Sequence, residues 1–272
     1  MTEQPLISVV IPAYNAGATL ERTLDSLRQQ SWKALEIIVV DDGSKDDTLE
    51  IARRIAAEEP RMTILTQKNA GVSAARNLGL TRCRGKYIRF MDSDDTMPPD
   101  SMERLVTRAE QDGAELVIGG YTEYIGTLER RKNLANREDV LTLEQLFPLL
   151  CRQANSYFYG VLWNKLFRRE LVEANRLRFQ TEYTWGEDFA FVMDYLAGVQ
   201  RIAYLKELVY DYRRSPNGLS VVQVWDSVIH PLRNSRMKWS LYQHLKRLYV
   251  KRGAWPDYRN RLWVYLFRVG LN

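Results

Sequence analysis

Three short acidic clusters contain most of the residues in this sequence that could do chemistry. They occupy residues 41–42, 92–95 and 187–188. The second cluster places three carboxylates in four residues, which repel one another unless a cation lies among them. Hard cations such as Mg²⁺ and Mn²⁺ prefer carboxylate oxygens. One of Asp92 and Asp94 could hold such a cation while the other holds a sugar hydroxyl. A solvated acidic turn that caps a helix is the alternative.

The first cluster also has two interpretations. Residues 41–44 read Asp-Asp-Gly-Ser, which is ordinary turn chemistry, and Ser44 or Asp46 can cap the following helix. The functional interpretation is that Asp42 accepts hydrogen bonds from a nucleobase or ribose. Two other motifs are absent. No G-x-G-x-x-G dinucleotide-binding motif follows the first strand, and no G-x-S-x-G nucleophile motif is present.

The elements that must position these clusters alternate between strand and helix over the first 120 residues. Apolar runs predict strands at residues 6–11, 36–40, 62–65, 87–91 and 116–118, with helical spacing between them. Such alternation predicts parallel strands joined by crossovers. Ligands bind such sheets outside the carboxyl ends of the strands. The polar residues that follow the strands are therefore expected to converge.

The later sequence is predicted less regularly. Residues 121–140 look like an irregular polar insertion, and residues 166–171 continue with basic helix formers. The other predicted elements are helices at 143–150 and 189–196, strands at 202–205 and 208–212, and two amphipathic helices after residue 225, broken at Gly253 and Pro256.

Composition excludes several classes of site. The two cysteines, Cys83 and Cys151, form no metal-type spacing, so a reducing compartment is the default. The two histidines, His230 and His244, are isolated, which argues against a zinc site. No apolar run approaches the roughly 20 residues that span a bilayer. We therefore expect a cytoplasmic protein.

The segment 225–272 differs in charge from the rest of the chain. It has ten Lys or Arg against two Asp, a balance of +8, whereas the whole chain carries +5. Its interleaved aromatics favour attachment to an anionic membrane surface over nucleic-acid binding, so no nucleic acid is expected. A helical hairpin packed on the catalytic domain or on a second subunit is an equal alternative. The sequence stops inside an apolar helix pattern, which is consistent with a longer native chain.

The order of several motifs resembles the family 2 glycosyltransferases, which have the GT-A fold. The matching segments are residues 9–15, 38–44, 69–77 and 85–95. The resemblance is nearly unbroken over residues 6–118. It continues more loosely to about residue 214 through segments 163–170, 186–189 and 210–214, with Ser220 after them.

The resemblance implies an α/β, Rossmann-like GT-A fold. Its sheet would be mixed but mostly parallel, with flanking helices and a C-terminal helical segment. The catalytic domain would span residues 1–224, with a nucleotide-binding half at 1–120 and an acceptor and catalytic-base half at 121–224. Residues 225–272 would form the separate basic, aromatic helical segment.

The resemblance also implies roles for individual residues. Asp94 would coordinate a divalent metal, Mn²⁺ or Mg²⁺, and Asp188 would be the general base with Glu187 beside it. Tyr14 would pack on the nucleobase, Asp42 would recognise it, and Asp92 would contact the ribose or the donor sugar. The residues implied in nucleotide-sugar binding are Pro12, Tyr14, Asn15, Asp42, Asp92, Ser93 and Arg213, with Arg214 as an alternative to Arg213.

The expected activity is inverting transfer of a sugar from a nucleotide-diphosphate sugar, by family preference UDP-linked. The acceptor would be a glycan or a lipid-linked glycan of a cell-surface polysaccharide, and attachment at the inner face of the membrane would suit it. A nucleotidyltransferase acting on a sugar phosphate is the alternative, but its basic glycine-rich loop is missing. A catalytically inactive binding protein is disfavoured because all three acidic clusters are intact.

Four further residues have structural alternatives to a functional role. Trp163 and Trp185 are core aromatics or contacts to donor or acceptor. Lys165 is expected to cover apolar surface with its stem. Asn77 is expected to cap or staple a helix rather than to touch substrate.

Overall fold

The computed structural model describes residues 4–133, 139–152, 157–214, 231–263 and 265–266. Ser220, residues 225–230 and the last residues of the second predicted C-terminal helix lie outside this part. The described strands are β1 (Ile7–Ala13), β2 (Leu35–Asp41), β3 (Met62–Thr66), β4 (Tyr87–Phe90), β5 (Leu116–Ile125), β6 (Leu128–Lys132), β7 (Val140–Thr142), β8 (Lys165–Arg168) and β9 (Arg201–Arg214). The described helices are α1 (Leu20–Arg28), α2 (Thr48–Ala56), α3 (Val72–Leu80), α4 (Ser101–Asp112), α5 (Leu143–Arg152), α6 (Tyr157–Gly160), α7 (Arg169–Ala174), α8 (Glu187–Leu196), α9 (Pro231–Lys251) and α10 (Trp255–Leu262).

The strands form one mixed sheet in the order β3-β2-β1-β4-β8-β5-β9-β7, with β6 paired to β5. Strands β1 to β4 are mutually parallel, and β5 and β9 run in the same direction. Strands β6, β7 and β8 run against them. The predicted mixed, mostly parallel sheet is therefore confirmed. Six strands end at the same edge, where their following loops meet.

The sequence builds this sheet because its first strands are apolar along their whole length. Strands β1 and β2 are buried at every position, as expected of parallel strands covered on both faces. Helix α1 covers the sheet with Leu20, Leu24 and Leu27, spaced at the helical period. Helix α3 approaches β1 closely at Gly79, where a Cβ would lie 2.5 Å from the Val10 side chain.

The prediction of an irregular insertion at residues 121–140 is wrong for its described part. Strand β5 continues to Ile125, turns at Gly126 and returns as β6. Gly126 has a φ of +59°, which favours glycine in a tight turn. All of β6 is exposed, so this strand has no apolar alternation from which the sequence could predict it.

The predictions for residues 166–171 and 202–212 are correct only in part. Helix α7 begins at Arg169, so residues 169–171 are helical as predicted, but residues 166–168 are not. Residues Lys165–Arg168 form β8 between β4 and β5, and pairing on both sides overrides their helix propensity. The two predicted strands are one strand, β9. Register shifts opposite Gly120 interrupt its apolar alternation, which explains why the sequence suggested two strands.

The C-terminal helices pack on the rest of the molecule. Leu245 and Tyr249 of α9 are buried in the same hydrophobic core as the sheet. The Tyr249 ring stacks on Phe147 at 4.4 Å, and its hydroxyl donates to the Phe147 carbonyl. The described part of segment 225–272 therefore packs on the rest of the chain, which is the helical-hairpin alternative. The domain division at residue 224 stays a prediction.

The break between these two helices is partly as expected. Gly253, with a φ of +70°, follows α9. The prediction for Pro256 is wrong, because it lies in the first turn of α10, where proline needs no hydrogen-bond partner for its nitrogen. Within the described residues, no helix has the length and apolarity required to cross a bilayer.

Candidate active site

A cleft of about 410 Å³ opens at the edge where the carboxyl ends of β1, β4 and β9 meet. Side chains from all three strand ends line it, as the parallel topology requires. The structure brings together most of the residues predicted to bind the donor and metal, namely Pro12, Tyr14, Asn15, Asp92, Ser93, Asp94 and Arg213. Arg22 and Arg214 also line the cleft.

One end of the cleft is formed by the loop after β1. Asn15 has a φ of +50°, a conformation that asparagine tolerates better than most residues. Its N–H donates to the Ser44 hydroxyl, and its side-chain oxygen accepts from the Lys45 N–H at 2.9 Å. These bonds fix the loop after β1 against the loop after β2. Tyr14, in the same loop, lines the cleft and is 46% exposed.

Asp42 does not line this cleft. It is buried, and its carboxylate accepts hydrogen bonds from the Gln67 side chain at 2.7 Å and from the backbone N–H groups of Ala70 and Gly71 at 2.8 Å. Asp42 thereby ties the end of β2 to the loop that leads into α3. Its role in base recognition stays a prediction, and the contacts found here are within the chain.

Asp95 anchors the acidic run to β9. It is fully buried, and it accepts hydrogen bonds from the Tyr210 hydroxyl at 2.8 Å and from the Arg213 N–H at 2.7 Å. The same hydroxyl accepts the Asp92 N–H. Burial, helped by the charges of Asp92 and Asp94, raises the pKa of Asp95 well above its usual value. Asp95 is therefore a structural member of the run, and it places Arg213 at the cleft.

Asp94 faces the cleft without a cationic side chain bonded to its carboxylate among the described residues. Arg22 donates to its backbone carbonyl at 2.7 Å instead. Burial, followed by the charge of Asp92, raises the pKa of Asp94 to about 6. This hard oxygen donor beside a second carboxylate would be stabilised by a cation.

Arg76 joins the second and third acidic clusters, and the sequence analysis missed its importance. This nearly buried residue of α3 donates from Nη1 to Asp188 at 2.6 Å and to Glu187 at 3.1 Å, and from Nη2 to Asp92 at 3.1 Å. Burial alone would lower the pKa of Arg76, but the charges of its three partners raise it. The sequence signal that could have identified Arg76 is an arginine on the buried face of a helix, inside the 69–77 motif.

Asp188 and Glu187 begin α8 and both reach Arg76. The Asp188 side chain is 22% exposed. Burial raises the pKa of Asp188 well above its usual value; Arg76 opposes this rise, and the charges of Glu187 and Asp92 add to it. A carboxylate whose pKa is raised toward neutrality is suited to accept a proton. Through Arg76, this pair lies beside the cleft-lining Asp92.

Arg213 and Arg214 differ in their partners. The Arg213 guanidinium lies over the Tyr124 ring at 4.7 Å, and its buried Nε makes no hydrogen bond within the described residues. Arg214 lies 3.8 Å from the Glu123 carboxylate, which offsets its charge. Arg213 is thus the better placed of the two to bind an anion in the cleft.

Two of the residues with alternative roles have structural contacts. Trp163 is buried and stacks on Tyr210 and Tyr212 at 4.8 and 5.3 Å, so it is a core aromatic. Asn77 staples α3 to Phe179, because its side-chain amide donates to the Phe179 carbonyl and accepts from the Phe179 N–H, each at 2.8 Å.

The expectation that Lys165 covers apolar surface is wrong. Lys165 is buried, and its ammonium donates to the carbonyls of Phe158 and Val161 and to the Asn164 side chain. Burial lowers the pKa of Lys165 well below its usual value. Trp185 is half-buried against the core.

Sequence comparison agrees with this geometry. A model of the family described as Glycosyl transferase family 2 matches residues 8–176. EpsJ of Bacillus subtilis (strain 168), named as an uncharacterized glycosyltransferase, is 33% identical over 246 residues, which cover 88% of this chain and 70% of EpsJ. The chain spans 59–61% of the length of three further curated relatives.

Two solved structures share the fold. TarS 1–349 of S. aureus, in complex with UDP-GlcNAc, superposes with a TM-score of 0.70 at 19% identity, covering 90% of this chain and 73% of that one. The mannosyltransferase PcManGT from Pyrobaculum calidifontis, in complex with GDP-Man and Mn²⁺, gives 0.63 at 18% identity, covering 97% and 74%. The fold is therefore GT-A, and the chain belongs to glycosyl transferase family 2.

Proposed function

We propose that this chain transfers a sugar from a nucleotide-diphosphate sugar to an acceptor hydroxyl with inversion at the anomeric carbon. One observation carries the proposal. Arg76 holds Asp92, which lines the cleft, and Asp188, which has a raised pKa, on a single guanidinium. This arrangement supports a donor-binding role for Asp92 beside a proton-accepting role for Asp188.

Each residue then has a task. Tyr14 stacks on the nucleobase, Pro12 and Asn15 shape that end of the cleft, and Arg213 binds the diphosphate. Asp92 and Ser93 contact the ribose or the sugar. Asp188 accepts the proton of the attacking hydroxyl while the diphosphate leaves from the opposite face, and a single displacement of this kind inverts the centre. Glu187 orients Asp188 through their shared partner Arg76.

The cleft fits a divalent cation. Asp94 offers an oxygen donor with no bonded cationic side chain in the described part of the chain, and Asp92 adds a second negative charge. Mg²⁺ and Mn²⁺ use one or two protein carboxylates and complete their shells with water and phosphate oxygens. Asp94 would hold the ion, which when bound stabilises charge on the departing diphosphate. PcManGT, of the same fold, is known with Mn²⁺.

The donor nucleotide is proposed to be UDP. The TarS structure contains UDP-GlcNAc, whereas the PcManGT structure contains GDP-Man, so the fold accommodates both nucleotides. The experiment is a screen of UDP-, GDP- and dTDP-sugars with and without Mn²⁺. Release of nucleoside diphosphate supports the proposal, and release of pyrophosphate from a sugar phosphate and a nucleoside triphosphate would support a nucleotidyltransferase instead.

Replacing Asp94 with alanine is expected to abolish metal-dependent donor binding while leaving the fold intact. The change removes the proposed metal ligand but no hydrogen bond that holds the loop. Calorimetry with UDP and Mn²⁺ should show at least a roughly tenfold loss of affinity, in line with the 10–100-fold cost of disturbing a metal site. Glu129→Ala on the exposed strand β6 is the control. Unchanged affinity in Asp94→Ala would assign the metal elsewhere.

We further propose a lipid-linked acceptor at the inner face of the cell membrane. The supporting feature is an aromatic face formed by Trp239 and Trp263, which are 48% and 49% exposed with ring centroids 6.3 Å apart. Exposed cations on α9, among them Arg236 and Arg247, complement anionic headgroups. Tryptophan and cationic residues together are typical of interfacial helices.

Replacing both Trp239 and Trp263 with serine is expected to reduce binding to anionic vesicles by about tenfold or more, since two interfacial anchors are lost. Co-sedimentation with phosphatidylglycerol-containing vesicles across a salt series measures this. Leu128→Ser, at a comparably exposed apolar residue on β6, is the matched control. Binding by the unmodified chain should weaken with salt. No binding by that chain at low salt would remove the membrane proposal.

A further inference from the structure

A hydrogen-bonded cluster joins the C-terminal helix α9 to the segment that leads into α8. The Tyr183 hydroxyl lies 2.5 Å from the Ser240 hydroxyl and 3.0 Å from Nε2 of His244. Tyr183 precedes Asp188 by five residues. The approach to the proposed catalytic base is therefore tied to a helix far along the chain.

His244 connects this segment to the body of α8. The residue is buried, and its Nδ1 lies 2.8 Å from the Asp194 carboxylate. A carboxylate only accepts, so Nδ1 carries the hydrogen, and Nε2 exchanges a hydrogen bond with the Tyr183 hydroxyl, which can donate or accept. Arg247 Nη2 lies 2.7 Å from the same Nδ1, which has no lone pair left to accept. Arg247 therefore acts through its charge, 3.8 Å from Asp194.

A close apolar contact reinforces the same attachment. Gly186, immediately before Glu187, has a φ of +75°, and a Cβ there would lie 2.6 Å from Cδ1 of Leu241. Only glycine satisfies both the left-handed conformation and this approach. The backbone that begins α8 therefore lies directly against α9.

We propose that Tyr183 and His244 are positioning residues for sugar transfer. Arg76 draws Asp188 and Glu187 toward Asp92 on one side of the first turn of α8. The cluster of Tyr183, Ser240, His244 and Asp194 forms a second attachment, through the segment before α8 and through the helix itself. The orientation of Asp188 is set between these two attachments. This inference rests on the proposed function, because it needs Asp188 to act on substrate.

The structure provides a matched control for the loss of stability that removing an interface hydroxyl would cause. Tyr249 of α9 also donates its hydroxyl across an interface, to the Phe147 carbonyl on α5. Tyr183→Phe and Tyr249→Phe therefore each remove one hydroxyl that ties α9 to the rest of the molecule. Only the first hydroxyl lies on the segment leading to Asp188.

The test measures both variants in the full 272-residue chain. Tyr183→Phe is expected to lower kcat by roughly 10- to 100-fold, the cost of a small misplacement of a catalytic group, with the donor KM changed less than about twofold. Tyr249→Phe should leave kcat within about twofold of the unmodified chain, because no reacting group depends on it. Hydrogen exchange over residues 181–190 should accelerate only in Tyr183→Phe.

Two substitutions of His244 separate its contacts. Asparagine retains a donor near the position of Nδ1, and glutamine retains a polar atom near that of Nε2. His244→Asn should therefore reproduce part of the kcat loss of Tyr183→Phe, which also loses the Ser240 contact, and the double variant should lose no more than Tyr183→Phe alone, since both changes break the Tyr183–His244 bond. His244→Gln should preserve more activity than His244→Asn.

The outcomes separate the two proposals. If the unmodified chain releases no nucleoside diphosphate from any donor, the proposed function fails. The attachment itself is still tested by exchange over residues 181–190, and equal exchange in Tyr183→Phe and the unmodified chain overturns it. If the enzyme is active and Tyr183→Phe has the same kcat as the unmodified chain, the positioning role is overturned. It is also overturned if kcat falls in proportion to melting temperature in both tyrosine variants.

Discussion

Asp188→Asn is expected to lower the rate of sugar transfer by roughly 10²–10⁴-fold, the contribution of a positioned acid or base. The substitution keeps the side-chain size but removes the proton acceptor. Donor affinity should change little, because Asp94 and the lining of the cleft are untouched. Steady-state transfer rates, with nucleotide affinity measured separately by calorimetry, give the two quantities.

The pH profile provides a second signature of Asp188. Burial raises the pKa of its carboxyl, so the proton-accepting form is lost as pH falls through that raised value. Transfer by the unmodified chain should therefore decline toward acidic pH at a higher pH than an ordinary aspartate would give. Asp188→Asn, which does not titrate, should lose this limb.

Glu187→Gln is the matched control for Asp188→Asn. Both residues bond to Arg76, so both variants weaken the same cluster, and only Asp188 is assigned proton transfer. We expect the smaller loss in Glu187→Gln. A larger loss in Glu187→Gln would exchange the two roles, and near-normal transfer by Asp188→Asn would place the base elsewhere.

The parallel part of the fold was predictable because burial on both faces leaves continuous apolar runs in the sequence. Strands β1, β2 and β4 follow such runs, and the rule that ligands bind at carboxyl ends located the cleft. The elements that the sequence did not predict depend on pairing with neighbouring strands instead. Strand β8 is held by neighbours on both sides, and β6 is an exposed hairpin strand, so neither has an apolar pattern of its own.

The acidic half of the site was readable from sequence, but its cationic partner was not. Carboxylates clustered after strands are unusual enough to be noticed, whereas Arg76 looks like any helical arginine. Its partners lie 16 residues ahead and more than 100 residues ahead along the chain. The same limit applied to Asp42, whose hydrogen bonds to the 67–71 loop form only after that loop folds back.

Arg76→Met is expected to abolish transfer and to destabilise the fold by about 3–5 kcal/mol, the cost of removing one partner from a buried ion pair. The side chain is 5% exposed and bonds to three carboxylates, so its loss leaves Asp92, Glu187 and Asp188 to repel one another without a cation between them. The destabilisation should shrink as pH falls, because protonation removes that repulsion. Urea unfolding at several pH values measures it.

Two variants distinguish the role of Arg76 from that of any cation in the cleft. Arg76→Lys restores one charge but not the fork that reaches Asp188 and Asp92 from separate nitrogens, so it should recover stability more than transfer. Arg22→Met removes another arginine that lines the cleft, but within the described residues the bond found for Arg22 is to the Asp94 carbonyl at the surface, so its stability cost should be below about 1 kcal/mol. Equal stability of Arg76→Met and Arg22→Met would contradict the view that Arg76 organises the site, because a buried cation serving three carboxylates cannot be replaced by an apolar side chain without cost.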